Sequence, residues 1–123
     1  DVISTDHTPQ NEENKKIEFD NAANGIIGLE TAFGLLGKHI LPKLKLDILI
    51  EKIAINPRRT LNLPKVKIQQ GESANITLFN PDLEWKFKAT DIKSKSLNTP
   101  FIEEILKGKA LAVYNNGQFK KCV

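Results

Sequence analysis

The apolar positions of the chain follow a helical period in its first half and a strand period in its second half. Over residues 26–40 the apolar side chains recur every three or four positions, which predicts a helix that ends before Pro42. The same spacing over residues 46–55 predicts a second helix, and Asn56-Pro57 is expected to end it. Two amphipathic helices of this kind need a surface on which to pack.

A short apolar segment and a long polar one come before the first predicted helix. Residues 2–5 have the composition of the end of a strand, and residues 8–21 contain almost no apolar side chains. Long loops without regular structure are usually functional lids or disordered segments. The residues at the two ends of this predicted loop are therefore candidates for function.

Alternating apolar and polar residues predict strands after Pro64. The alternation covers residues 65–68, 74–79 and 83–88, and two further strands, 111–114 and 118–121, flank Asn115-Asn116-Gly117. Asn-Gly supplies the positive φ angles of a tight hairpin turn. The chain thus divides into a helical half, residues 1–63, and a β half, residues 64–123, which is an α+β organisation for the chain by itself.

Composition limits the size and class of the molecule. With 123 residues, 40% of them hydrophobic and 27% charged, the chain suits one ordinary domain and is too short for a complete eight-stranded α/β barrel of about 250 residues. No apolar run approaches the ~20 residues of a membrane helix, and the first ten residues lack the features of a signal peptide. We therefore expect a cytoplasmic protein that does not bind membranes.

Charge and residue counts restrict the chemistry further. The net charge is +3, but the basic stretch over residues 38–69 has no aromatic residue to stack on bases, so nucleic acid is not an expected partner. One cysteine and two histidines cannot complete a metal site from this chain alone. The chain contains no methionine and starts within a predicted strand, which is typical of a fragment whose other site residues lie upstream.

Two short segments could carry chemistry. A carboxylate at a strand end, as in Asp6-His7, can ligate a metal or accept a proton, whereas the alternative is that Asp6 caps the loop and His7 lies on the surface. Asn24-Gly25 precedes the predicted helix, so its backbone N–H groups could bind an anionic or carbonyl group, or the dipeptide could simply form a turn. Residue types alone leave these alternatives open.

A set of phrases in fixed order resembles one enzyme family. Together they are similar to the C-terminal third of bacterial dihydroorotases, members of the metal-dependent amidohydrolase superfamily, and they span nearly the whole chain. The phrases are Ser4-Thr5-Asp6-His7-Thr8-Pro9, Asn24-Gly25-Ile26-Ile27-Gly28-Leu29-Glu30-Thr31, Ile55-Asn56-Pro57, Gly71-Glu72-Ser73-Ala74-Asn75-Ile76, Ser94-Lys95-Ser96-Leu97-Asn98-Thr99-Pro100-Phe101 and Leu106-Lys107-Gly108-Lys109.

The resemblance implies an α/β fold, in which residues 1–63 supply the last strand of a TIM-type barrel, the substrate loop and covering helices. Residues 64–123 would form part of a small β-sheet domain. Such enzymes use zinc-activated water to hydrolyse dihydroorotate reversibly to N-carbamoyl aspartate in pyrimidine biosynthesis. Asp6 matches the aspartate that ligates zinc and carries the proton to the leaving nitrogen. The other zinc ligands would lie outside this chain, which we therefore expect to be inactive alone.

The resemblance also assigns substrate contacts, with one departure. Asn24 and Gly25 match the place where backbone groups hold the substrate ring. Many relatives have a histidine that contacts the substrate carboxylate where this chain has Gln10, and a neutral amide offers no positive charge. The expected partners are the substrate and the rest of the barrel, and the resemblance also allows a homo-oligomer. A noncatalytic homologue and a related cyclic amidohydrolase such as a hydantoinase are the alternatives.

Overall fold

The computed structural model describes residues 1–122 and combines short helices with a three-stranded antiparallel sheet. None of its helices is long and apolar enough to cross a membrane. Helices followed by strands confirm the α+β organisation that the sequence predicted. The elements are α1 (Glu12–Lys15), α2 (Ala32–His39), α3 (Leu46–Ile50), α4 (Asn56–Thr60), β1 (Ile76–Lys86), β2 (Ile105–Asn115) and β3 (Gln118–Lys121).

Strand β2 lies in the middle of the sheet, and helix α2 packs against it through two glycines. Gly34 and Gly37 are both buried. A Cβ atom at Gly34 would lie 2.9 Å from the Cβ of Leu106, and one at Gly37 would overlap the carbonyl oxygen of Lys107. The close approach of helix and strand therefore requires that neither position carries a side chain.

Large apolar side chains at this contact are completely buried. Phe87 and Leu106 are both 0% exposed, and the ring of Phe87 meets the ring of Trp85 edge-on with centroids 5.9 Å apart. Each such side chain stabilises the fold by about 1.5–3 kcal/mol relative to an exposed position. The contact between the sheet and α2 is thus the main apolar core of the second half of the chain.

The first predicted helix begins later than expected. Helix α2 starts at Ala32, and the prediction of helix from residue 26 is wrong. Ile26 instead forms a parallel bridge with His7, and the N–H of Ile27 donates to the carbonyl of Asn98 (3.0 Å). In this segment Ile27 is buried whereas Ile26 and Leu29 are exposed, so the apolar spacing does not mark one buried helix face. The backbone hydrogen bonds of the segment go to distant parts of the chain.

The second predicted helix does not stop at Asn56-Pro57. After α3 the chain makes a wider turn over Glu51–Ile55, with i→i−5 bonding, and continues as α4 to Thr60. The N–H of Asn56 donates to the carbonyl of Glu51, so the hydrogen-bond register of the helix shifts by one residue just before the proline. Pro57 then occupies the first turn of α4, directly after the wider turn, where a residue without an N–H is tolerated.

Two predicted strands are absent from the described residues. Neither residues 2–5 nor residues 65–68 form a strand there, so both predictions are wrong. A strand needs a neighbour to accept its backbone hydrogen bonds. The N–H of Ile3 bonds instead to the carbonyl of Lys52 (3.2 Å), and Ile68 is 89% exposed.

The remaining strand predictions are confirmed with two changes, the first being that β2 begins at Ile105, well before the predicted residue 111. The segments predicted at 74–79 and 83–88 form the single strand β1, whose register shifts between Asn80 and Glu84, around Pro81. Proline cannot donate to the ladder and is tolerated at such an irregularity. The predicted hairpin joins β2 to β3, with φ of +48° at Asn116 and +74° at Gly117.

The glycine contact between α2 and β2 can be tested by substitution. Gly37→Ala should lower the free energy of unfolding by about 2 kcal/mol or more, because the new methyl group overlaps a carbonyl oxygen of β2. Urea unfolding measures this change. Gly71→Ala is the comparison, since its Cβ would meet no atom within 4 Å although φ is +90°. A loss at Gly37 no larger than that at Gly71 would contradict this account of the packing.

Candidate functional site

Asp6 lies at a sharp turn of the backbone and presents a free carboxylate. Its φ is +47°, in the left-handed region that residues other than glycine seldom adopt. The hydroxyl of Thr8 donates to the Asp6 carbonyl (2.9 Å), and the Asp6 N–H donates weakly to Ser4 Oγ (3.4 Å). Among residues 1–122 the carboxylate itself has no hydrogen-bond or ion-pair partner, and the residue is exposed. It is available to a ligand.

His7 fixes the segment that carries Asp6 against the residues before α2. Its Nδ1 accepts hydrogen bonds from the N–H groups of Gly28 (3.0 Å) and Leu29 (3.4 Å). Beside it, the Thr8 N–H donates to the carbonyl of Ile26 (2.9 Å). This arrangement assigns the imidazole proton to Nε2. His7 is therefore a half-buried structural residue rather than a freely exposed one.

Gly25 lies against the same segment and requires its glycine. Its φ is +110°, and a Cβ there would lie 2.6 Å from the Cβ of Thr8. The ammonium group of Lys15 donates to the carbonyls of Ala23 (2.7 Å) and Gly25 (2.9 Å). The N–H groups of Asn24 and Gly25 have no acceptor within the described part of the chain. These two donors are free to bind a ligand.

A second hydrogen-bond donor to the Gly25 carbonyl is the side chain of Asn98, which lies far along the chain. Asn98 Nδ2 donates to the Gly25 carbonyl (2.9 Å), and Asn98 Oδ1 accepts the N–H of Gln10 (3.3 Å). Ser96 Oγ donates to the Gln10 carbonyl (2.6 Å) and lies against Asn98 Oδ1. The backbone of Gln10 is thus held on both sides. Its side chain has no partner among residues 1–122.

A short helix forms inside the segment that the sequence predicted as a loop. Helix α1 lies within residues 8–21 and places Lys15 over the two carbonyls at the end of the loop. The N–H of Ala23 also donates to the Asn14 carbonyl (2.9 Å). These contacts join α1 to residues 23–25, so the segment between Gln10 and Gly25 is held by bonds within itself.

Glu30 makes a second connection between the two halves of the chain. Its Oε1 accepts the Ser94 hydroxyl (2.6 Å), the Ser94 N–H (2.7 Å) and the Lys93 N–H (3.1 Å). Burial raises the pKa of this carboxyl, but the hydrogen bonds from Ser94 and the backbone outweigh burial and hold the pKa below the ordinary value. Glu30 is therefore favoured as a carboxylate in the folded protein.

The site contains residues that sequence reasoning named and residues that it missed. Gln10 and Gly25 are both hydrogen-bonded to the side chain of Asn98. Asp6 and Gly25 both lie next to Thr8. Asn24 is exposed beside them. The phrase over residues 94–101 supported the resemblance, but nothing in it indicated a partner 88 positions away. The missed residues are Lys15, Ser96 and Asn98.

Asp6 can supply one ligand of a zinc site, and the described residues cannot supply the rest. Carboxylate oxygen is a normal zinc ligand, and the Asp6 carboxylate is free. Residues 1–122 contain no group of three or more histidine, cysteine, aspartate or glutamate residues that could hold a metal. A tetrahedral zinc site built here would need ligands from another segment or chain.

Three proteins similar to this chain carry the same name. The chain is 42% identical over 120 residues to a dihydroorotase of Chlorobaculum tepidum, 40% identical over 120 residues to one of Pelotomaculum thermopropionicum, and 37% identical over 123 residues to one of Caldicellulosiruptor saccharolyticus. These matches cover 96–98% of this chain and 27–29% of the relatives. No protein-family model matches. The resemblance to dihydroorotases is confirmed, and the chain spans little more than a quarter of their length.

The Glu30 contacts predict a specific dependence of stability on pH. Because folding lowers the Glu30 pKa, its stabilising contribution is complete above the pKa of the unfolded chain and is lost as pH falls through the folded pKa. Glu30→Gln should therefore reduce the loss of stability between about pH 5 and pH 3, measured by urea unfolding. Glu18→Gln, at an exposed position, is the control. An unchanged acid dependence in Glu30→Gln would contradict the assignment.

Proposed function

We propose, from the similarity to dihydroorotases along 96% of the chain, that this chain is the C-terminal part of a zinc-dependent dihydroorotase. On this proposal residues 1–63 contribute the last barrel strand, the substrate loop and covering helices, and residues 64–123 contribute part of the small sheet domain. The rest of the barrel is then the necessary partner, and the chain alone has no activity. The reaction is the reversible hydrolysis of dihydroorotate to N-carbamoyl aspartate, a step of cytoplasmic pyrimidine biosynthesis.

One observation carries this proposal. The free carboxylate of Asp6, the free N–H groups of Asn24 and Gly25, and the unpartnered side chain of Gln10 belong to segments that are bound to one another. The left-handed backbone of Asp6 adds support, since strained residues cluster where function maintains them. A proton carrier, ring-binding donors and a polar side chain for a carboxylate are the groups that hydrolysis of an acidic cyclic amide requires.

Each of these groups has a role in the proposed reaction. Zinc, when bound by Asp6 and ligands from elsewhere, supplies a water of lowered pKa. As the C–O bond forms, Asp6 accepts a proton from the attacking water and passes it to the ring nitrogen, and the C–N bond breaks. The N–H groups of Asn24 and Gly25 donate to the ring, and the Gln10 amide donates to the substrate carboxylate.

The first test concerns Asp6 in the full-length protein that contains this chain. Asp6→Asn should lower kcat for zinc-dependent hydrolysis of dihydroorotate by about 10²–10⁴-fold, because an amide cannot accept the proton. Asp20→Asn, which changes an exposed carboxylate in the loop, should leave kcat unchanged. A folded, zinc-loaded wild-type protein with no activity on dihydroorotate would refute the proposal, as would full activity of the Asp6 variant.

Gln10 favours a second candidate, a noncatalytic dihydroorotase homologue with a structural or partner-binding role. The neutral amide provides no positive charge for the substrate carboxylate. A related cyclic amidohydrolase such as a hydantoinase, whose substrate lacks that carboxylate, is consistent with the same residue. Activity on hydantoin but not on dihydroorotate would identify the latter, and inactivity on both would identify the former.

The proposed role of Gln10 can be tested by changing its charge. Its backbone is held by Ser96 and Asn98, so substitution should alter only the unpartnered side chain. Gln10→His should lower the KM for dihydroorotate by about fivefold, since a charged donor strengthens the bond to a carboxylate. Gln10→Glu should raise KM by a similar factor through repulsion. If both variants keep the wild-type KM, Gln10 does not contact the substrate carboxylate.

A further inference from the structure

We propose that Asn98 is a positioning residue for the substrate, because its side-chain amide joins the two segments that would bind the substrate. This inference rests on the proposed dihydroorotase function. It concerns a residue that contacts neither the substrate nor Asp6 and acts through Gln10 and Gly25.

Both ends of the Asn98 amide are used. Oδ1 accepts the Gln10 N–H and Nδ2 donates to the Gly25 carbonyl. Aspartate would retain the acceptor and lose the donor, and a shorter or apolar side chain would lose both. Asn98 is half-buried, so water cannot freely replace either bond. The two bonds therefore depend on an amide of this length at this position.

The joined residues are the two ends of the substrate loop. Gln10 and Gly25 enclose α1 and the polar segment around it, and the loop has no strand ladder to hold it. Asn98 also accepts the Ile27 N–H through its backbone carbonyl (3.0 Å), so the residue is anchored beside the loop that it holds. Loss of the amide would leave the Gln10 end held by Ser96 and the Gly25 end held by Lys15. Both ends would be looser, and the substrate would have to order them on binding.

The position of these bonds predicts an effect on affinity rather than on turnover. The Asn98 amide occupies the Gly25 carbonyl and the Gln10 N–H, and it leaves the Gly25 N–H and the Gln10 side chain free for a ligand. The bonds that hold Asp6, from the Thr8 hydroxyl and through the His7 bridge, do not involve the Asn98 amide. The proton transfer assigned to Asp6 should therefore survive when the loop ends are loosened.

The test uses Asn98→Ala and Asn98→Asp in the zinc-loaded full-length protein, with Thr99→Ala as the matched control. Thr99 is the next residue, and within residues 1–122 its hydroxyl accepts only the local Phe101 N–H. Asn98→Ala should raise the KM for dihydroorotate about tenfold and change kcat by less than about threefold. Its pH profile of kcat should stay unchanged. A purely structural role would instead reduce the active fraction, which lowers kcat at constant KM.

Amide hydrogen exchange gives a readout that does not require activity. Exchange over residues 10–25 should accelerate in Asn98→Ala, whereas in Asn98→Asp the Gln10 N–H should stay protected while KM still rises. Thr99→Ala should match the wild type in both measurements. If Asn98→Ala does not fold, Asn98→Asp and Ser96→Ala test the proposal instead. The first removes the donor to the Gly25 carbonyl, and the second removes the donor to the Gln10 carbonyl.

The outcomes separate the two proposals. Unchanged exchange over residues 10–25, or an unchanged KM in an active Asn98→Asp enzyme, would overturn the role of Asn98 while leaving the dihydroorotase function in place. An inactive wild-type protein with normal zinc content would overturn the function itself, and with it the assignment of Asn98 to substrate binding. A tenfold KM effect together with faster loop exchange would support both.

Discussion

The amide of Asn98 connects two segments that neither a helix nor a sheet holds together. Residues 8–28 contain one helical turn and an isolated bridge, so most of their backbone polar groups need partners from outside regular structure. The amide of Asn98, the ammonium group of Lys15 and the imidazole of His7 satisfy several of these groups. Among the groups that remain without a partner in the described residues are the N–H groups of Asn24 and Gly25 and, beside the loop, the carboxylate of Asp6.

The sheet gives this connection its support. Helix α2 follows the site segment directly and is held close to β2 because Gly34 and Gly37 carry no side chains. Glu30, just before α2, binds the backbone and hydroxyl at residues 93 and 94, a few positions before Asn98. The helical half and the tail are therefore joined on both sides of the loop. The β half contributes to the site through residues 94–98.

Local chemistry was predictable from the sequence, and long-range pairing was not. The Asn116-Gly117 hairpin forms as predicted because its turn needs only the φ angles of two residues. The apparent strand at 65–68 fails because its ladder needs a neighbour that the described residues do not provide. Pro57 indicated a helix end, but a wider turn before it lets the helix continue. Asp6 and Gly25 were candidates from residue type and position, and the family resemblance assigned their roles and added Gln10. The role of Asn98 depends on a contact across 88 positions.

A crystal structure of the full-length, zinc-loaded protein with bound dihydroorotate tests the central claim most directly. The account predicts a zinc ion at about 2.0–2.2 Å from a carboxylate oxygen of Asp6. It also predicts the substrate ring on the N–H groups of Asn24 and Gly25, with Asn98 still joining Gly25 to Gln10. A zinc ion ligated without Asp6, or a substrate bound away from Gly25, would contradict the account.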